Sequence, residues 1–75
     1  MPFIHIYAHS GKDQETKIKV AQDIVKVFSE TIGAPESVFT VAFEDVQPEA
    51  WEKDVVQAIV EPLGDKVLIK RGKMV

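Results

Sequence analysis

Few residues in this 75-residue chain can do chemistry, and most of those are badly spaced for it. No cysteine is present, which removes disulfides, thiolate metal sites and cysteine nucleophiles together. His5 and His9 lie on a segment that reads as a strand, where their spacing puts both on one face about 13 Å apart at ~3.3 Å per residue, too far to share a metal ion. Ser10 has no evident base. Gly11 stands alone before Lys12-Asp13 and follows no phosphate-loop spacing. The carboxylates are spread in the manner of solvated helix faces. What remains is Pro2, directly after Met1.

A small second residue makes Met1 a good substrate for removal, after which Pro2 carries a free secondary amine. An α-amino group titrates near ~7.7–8.0 in short peptides, and proline's is somewhat more basic. An apolar pocket disfavours the charged form and pulls that value toward neutrality. The fixed φ of the ring holds the nitrogen still, so the expected product is a general base poised near the operating pH. Proline follows methionine in many chains for no catalytic reason, so the position alone does not establish a base.

The elements that would hold such a base are legible. Residues Pro2 to Ala8 read as a strand, with Phe3, His5 and Tyr7 on one face and Ile4, Ile6 and Ala8 on the other. Both faces are largely apolar, which predicts burial on both sides, as in a parallel or central strand. His9 to Lys12 form a loop. Asp13 then caps a helix running to about Ile32, whose apolar stripe is Ile18, Ala21, Ile24, Val25 and Phe28. Gly33 suits the residue after the helix, and Pro35 prevents resumption. Val38 to Val46 read as a second strand, with Phe39, Val41, Phe43 and Asp45 on one face. A second helix opens at Pro48, with a stripe of Trp51, Val55, Ala58 and Ile59 interrupted by Pro62 and Gly64. Residues 66–70 fit either a last helical turn or a short strand.

Strand, long helix, strand is a β-α-β unit with a parallel pair. The expected class is therefore α/β, one domain over residues 1–75. Such a unit leaves one sheet face and both edges bare, and a chain under ~80 residues without disulfide or structural metal rarely buries enough core alone. A second copy, giving a four-stranded sheet backed by helices, answers both problems. Nine Lys+Arg against twelve Asp+Glu give a net charge of −3, and the one basic cluster is Lys70-Arg71-Gly72-Lys73, too little for a nucleic-acid surface. No apolar run approaches the ~20 residues of a membrane span, and the first residues do not form a signal peptide, so the expected address is the cytoplasm.

The start Pro2-Phe3-Ile4-His5-Ile6, the turn Gly11-Lys12-Asp13 into an amphipathic helix, and Gly33-Ala34-Pro35 before the second strand together resemble the 4-oxalocrotonate tautomerase family. Gln47-Pro48-Glu49-Ala50-Trp51 and the longer C-terminal segment are similar to its PptA-like bacterial branch. The likeness covers residues 2 to about 61. It implies a β-α-β tautomerase protomer, a cofactor-independent keto–enol isomerase acting on a small 2-keto or enol carboxylate, and no metal or cofactor. It implies a homo-oligomer, with a dimer favoured over a hexamer.

Residue by residue, Pro2 matches the family's catalytic base. The family commonly places an arginine after the first-turn glycine to grip a substrate carboxylate; here that position holds Lys12, which keeps the charge and loses the bidentate fork. The alternative for Lys12 is a solvated charge beside a helix N-terminus, the unfavourable end of the dipole. A second family arginine falls at Thr40, which cannot pair with a carboxylate, and this departure puts diacid specificity in doubt. Arg71 can substitute for it from the tail or simply be solvated. Trp51 matches an aromatic that walls the pocket, or else it is a core or interface anchor. Two other classes stay open: a proline-amine enzyme acting as dehalogenase, hydratase or decarboxylase, and a non-catalytic dimeric module of the same fold.

Overall fold

The computed structural model describes residues 1–75 as a parallel two-stranded sheet with one long helix on one face and a second helical segment over part of the other. Strand β1 (Phe3–His9) and strand β2 (Thr40–Val46) pair in parallel, from Phe3 beside Thr40 to His9 beside Val46. This register puts Ile4, Ile6 and Ala8 on the face that carries Val41, Phe43 and Asp45. Phe3, His5, Tyr7 and His9 share the other with Thr40, Ala42, Glu44 and Val46.

Between the strands runs helix α1 (Gln14–Ile32). Its start is fixed by Asp13, whose carboxylate accepts the backbone N–H of Thr16 at 2.8 Å. Its end is fixed by Gly33 in the left-handed region at φ 70°, with the N–H of Gly33 donating to the carbonyl of Ser29 at 2.9 Å. Helix and sheet meet through Phe28 edge-on to Phe39, ring centroids 5.1 Å apart, and through Lys17, which lies 5.8 Å over the Phe43 ring and is ion-paired with Asp45. A short 3₁₀ turn (Glu36–Val38) delays β2, so the second strand begins at Thr40 and not at Val38.

After β2 the chain enters a helical segment of mixed geometry: a 3₁₀ turn (Pro48–Ala50), a π-helical stretch (Glu52–Val60) and a final turn (Glu61–Leu63) stopped by Gly64. The stripe expected on α-helical spacing is corrected here. Because π-type bonding widens each turn, Trp51, Val55, Val56, Ile59 and Val60 turn inward, while Ala58 is exposed. Pro62 lies inside the last turn and does not end the segment. Residues 69–74 form a hairpin, strands β3 (Ile69–Lys70) and β4 (Lys73–Met74). Arg71 and Gly72 both have positive φ, the twist a two-residue connection requires.

Burial is sparse. Val55, 4% exposed, is the one buried residue, and Phe3 and Val27 are each 63% exposed. The expectation that β1 is covered on both faces holds in one chain only where the second helical segment meets Tyr7 and Val46. The open remainder carries Phe3 and His5. No helix is long and apolar enough to cross a membrane.

Candidate active site

Pro2 sits immediately before β1, half-buried, and its carbonyl accepts the backbone N–H of Thr40 at 3.1 Å. This bond pins the proline to the first residue of β2. Thr40 thus lies beside Pro2 along the strand pair, joined to it backbone to backbone. While Met1 is attached, the Pro2 nitrogen is an amide without basicity; Met1 itself is 99% exposed.

Lys12 and Trp51 lie at the opposite end of β1. The Lys12 ammonium donates to the carbonyl of His9 at 3.0 Å, so it turns back toward the strand and away from the N-terminus of α1. Lys12 is exposed, with its ammonium at the strand end. Trp51, half-buried, meets the His9 ring edge-on, centroids 4.8 Å apart at 80°. His9 therefore joins the two: its backbone holds the lysine and its ring holds the indole. The family resemblance puts His9 near the mouth of the pocket, the alternative being a solvated loop histidine. Its role as the joint follows from β1 extending one residue further than Ala8.

The structure thus brings Lys12 and Trp51 together and keeps both from Pro2. With β1 spanning seven residues, the two ends are separated by roughly 20 Å at the usual rise per strand residue. Arg71 sits in the hairpin turn at positive φ, exposed, and joins neither end. His5 is engaged on the open sheet face, its Nε2 2.9 Å from the Glu44 carboxylate and its ring stacked on Tyr7 at 4.2 Å. No three His, Cys, Asp or Glu residues are grouped as metal ligands.

Sequence comparison bears directly on this arrangement. A family model described as Tautomerase enzyme matches residues 2–56, from the proline into the π-helical stretch. The chain belongs to the tautomerase family. It is 32% identical over 74 residues to "Tautomerase PptA" of Pectobacterium atrosepticum, with 96% of each chain covered. It is 35% identical over 51 residues to "2-hydroxymuconate tautomerase" of Comamonas testosteroni, covering 68% of this chain and 81% of that one. A "Probable tautomerase" of Xylella fastidiosa is 28% identical over 72 residues, covering 96% of this chain and 88% of that one. No solved structure matches. The full-length likeness places the chain on the PptA-like branch of the tautomerase family, and an isomerase activity of the tautomerase type goes with that membership.

Proposed function

We propose that the protein, once Met1 is removed, is a cofactor-independent keto–enol tautomerase of small 2-keto or enol carboxylates, with the Pro2 amine as general base. The observation that carries this reading is the position of Pro2 at the head of β1, tied through its carbonyl to Thr40 so that its nitrogen has one fixed place. In the ketonising direction the neutral amine takes the enol hydroxyl proton. The oxygen lone pair forms the C2 carbonyl, the C2–C3 double-bond electrons move to C3, and the prolinium returns its proton there. Charge developing on the carboxylate side is stabilised by a nearby ammonium, and an indole wall excludes water.

Since one chain holds Pro2 and Lys12 at opposite ends of a strand, the reading requires a site shared between copies: Pro2 and Thr40 from one, Lys12 and Trp51 from a second. A homo-oligomer, with a dimer favoured over a hexamer, supplies this and covers sheet edges that a lone chain leaves unpaired. The small size and sparse burial of the single chain favour the same assembly.

The test begins with intact mass, followed on the same sample by ketonisation of phenylenolpyruvate and 2-hydroxymuconate across pH. The expected result is a mass without Met1, a rate rising through a pKa near neutrality, and a loss of at least ~100-fold in Pro2→Ala. A processed protein whose rate survives Pro2→Ala overturns the base assignment. Mixing inactive Pro2→Ala chains with Lys12→Ala chains of raised KM, and counting the sites that work at the parent KM, tests the shared site. Random pairing into two-fold dimers should restore roughly a quarter of the sites, whereas a site contained in one chain would regain nothing.

A further inference from the structure

We propose that Phe39 is a positioning residue for the reaction: its ring, held edge-on by Phe28, is the apolar floor on which the Pro2 ring rests. This rests on the reading of Pro2 as the base. Trp51, matched by resemblance to an aromatic wall, lies at the far end of β1 from the proline of its own chain. The strand register supplies a nearer aromatic. Thr40 stands beside Phe3, and its N–H donates to the Pro2 carbonyl at 3.1 Å, so the pairing continues one step and sets Pro2 beside Phe39. Phe39 keeps extended backbone, φ −94° and ψ 140°, so the strand alternation carries back through it.

That alternation puts Phe39 on the face of Val41 and Phe43, and Pro2 on the face of Ile4 and Ile6. Both belong to the side turned toward α1. The contact with Phe28, ring centroids 5.1 Å apart at 65°, fixes that side for Phe39. Paired positions on neighbouring strands stand roughly 5 Å apart, within reach for a pyrrolidine and a phenyl ring. Phe28 in turn belongs to an apolar row on the last turns of α1, with Ile24, Val27 and Ile32. Of the charged residues on the elements packed here, Asp23 is paired with Lys19; Lys26, Glu30 and Glu36 are exposed and make no ion pair. Low polarity is therefore what these side chains bring to the amine, and it disfavours the charged prolinium. One ring steadies the other, so the floor stays in one place.

The test reads the amine itself, by nitrogen NMR of processed full-length protein carrying isotopically labelled proline. Of the four prolines, Pro2 is the one whose nitrogen can titrate once Met1 is gone. Its midpoint should lie below that of the peptide Pro-Phe-Ile-His, where the same amine stands in water. Phe39→Ala, which lets water reach the pyrrolidine, should raise the midpoint by roughly one pH unit. Phe28→Ala frees the Phe39 ring without touching β2; it should raise the midpoint less, and it carries the test where Phe39→Ala does not fold. Phe39→Leu, which refills the space, should stay close to the parent. In the kcat/KM profile for phenylenolpyruvate, Phe39→Ala should lose roughly tenfold on the acid side and keep its alkaline plateau. Structural damage alone would lower the rate at every pH. The proposal is overturned if the parent amine titrates as the peptide does, if neither alanine variant moves the midpoint, or if Phe39→Leu moves it as far as Phe39→Ala. Pro2→Ala separates the two readings. A midpoint that depends on Phe39, with ketonisation indifferent to Pro2→Ala, sinks the base and leaves the floor. An unmoved midpoint, with ketonisation lost in Pro2→Ala, sinks the floor alone.

Discussion

The carbonyl of Pro2 accepts the backbone N–H of Thr40 at 3.1 Å, which sets the first residue of β2 at the head of β1. A positive charge introduced there would face whatever part of a substrate lies beyond the reacting carbon. Thr40→Arg should therefore raise kcat/KM for the diacid 2-hydroxymuconate relative to phenylenolpyruvate by roughly tenfold, the scale of one charge-assisted bidentate pair. Steady-state kinetics with both substrates checks this; an unchanged ratio means that Thr40 does not border the bound substrate.

Lys12 presents a related expectation. Its ammonium is bonded to the His9 carbonyl and is otherwise exposed, so Lys12→Ala removes charge without opening the core. KM for phenylenolpyruvate should rise by roughly tenfold or more, the size of a charge-assisted bond, while thermal stability changes little. A large fall in melting temperature with KM unchanged would give Lys12 a purely structural role.

Asp13 couples stability to pH. Its carboxyl lies below the ordinary 3.8 of aspartate because it is hydrogen-bonded first to the Thr16 side chain and then to the Thr16 backbone N–H. A group whose folded pKa is depressed contributes stability that is complete above its unfolded pKa and is lost as pH falls through the folded one. Asp13→Ala should thus lower the melting temperature at pH 7, and the gap to the parent should narrow as pH drops below about 4. Melting curves from pH 7 to 2.5 test the sign, and a gap that widens in acid would refute it.

Much of this scaffold can be read from local chemistry. Asp13 and Gly33 bound α1 because a capping carboxylate and a residue free to adopt positive φ are local requirements. The alternation in β1 and β2 survives because strand period depends only on neighbours along the chain. The π-helical stretch is not legible, since Trp51, Val55 and Ile59 are four apart and fit either kind of turn; only the exposure of Ala58 separates them. The hairpin at Arg71-Gly72 had a signal, a two-residue connection ending in glycine, masked by strands of two residues each. Pro2, Lys12 and Trp51 stand out by residue type and resemblance, while their separation depends on the strand's direction across the fold and so escapes any motif.

Val55 is where the second helical segment meets the sheet, and at 4% exposure it is the most buried side chain. Val55→Ala removes two methyl groups from that contact and should cost about 2 kcal/mol, counting transfer and residual cavity. Because Trp51 and Val55 share the inward face, the same variant should loosen the edge contact between Trp51 and His9. Denaturant titration at fixed protein concentration gives the first quantity. A shift in the fluorescence of Trp51, the single tryptophan, gives the second.

The last expectation concerns concentration. Outer residues of α1, among them Val27 at 63% and Ile32 at 52%, line an apolar groove with Ile24 and Phe28, and the open sheet face carries Phe3. Exposed area of this kind is stabilising only when a second copy covers it, so the denaturation midpoint should rise with protein concentration instead of staying constant. If Pro2 of one copy works with Lys12 of another, dilution must remove activity along with the assembly. Specific activity should therefore fall over the same concentration range in which sedimentation or light scattering shows dissociation. Val27→Asp, which places a charge in the groove, should move both transitions to higher concentration together. Full specific activity in a sample shown to be monomeric would mean that one chain brings Pro2 to its own substrate-binding groups, which the length of β1 forbids in the conformation described.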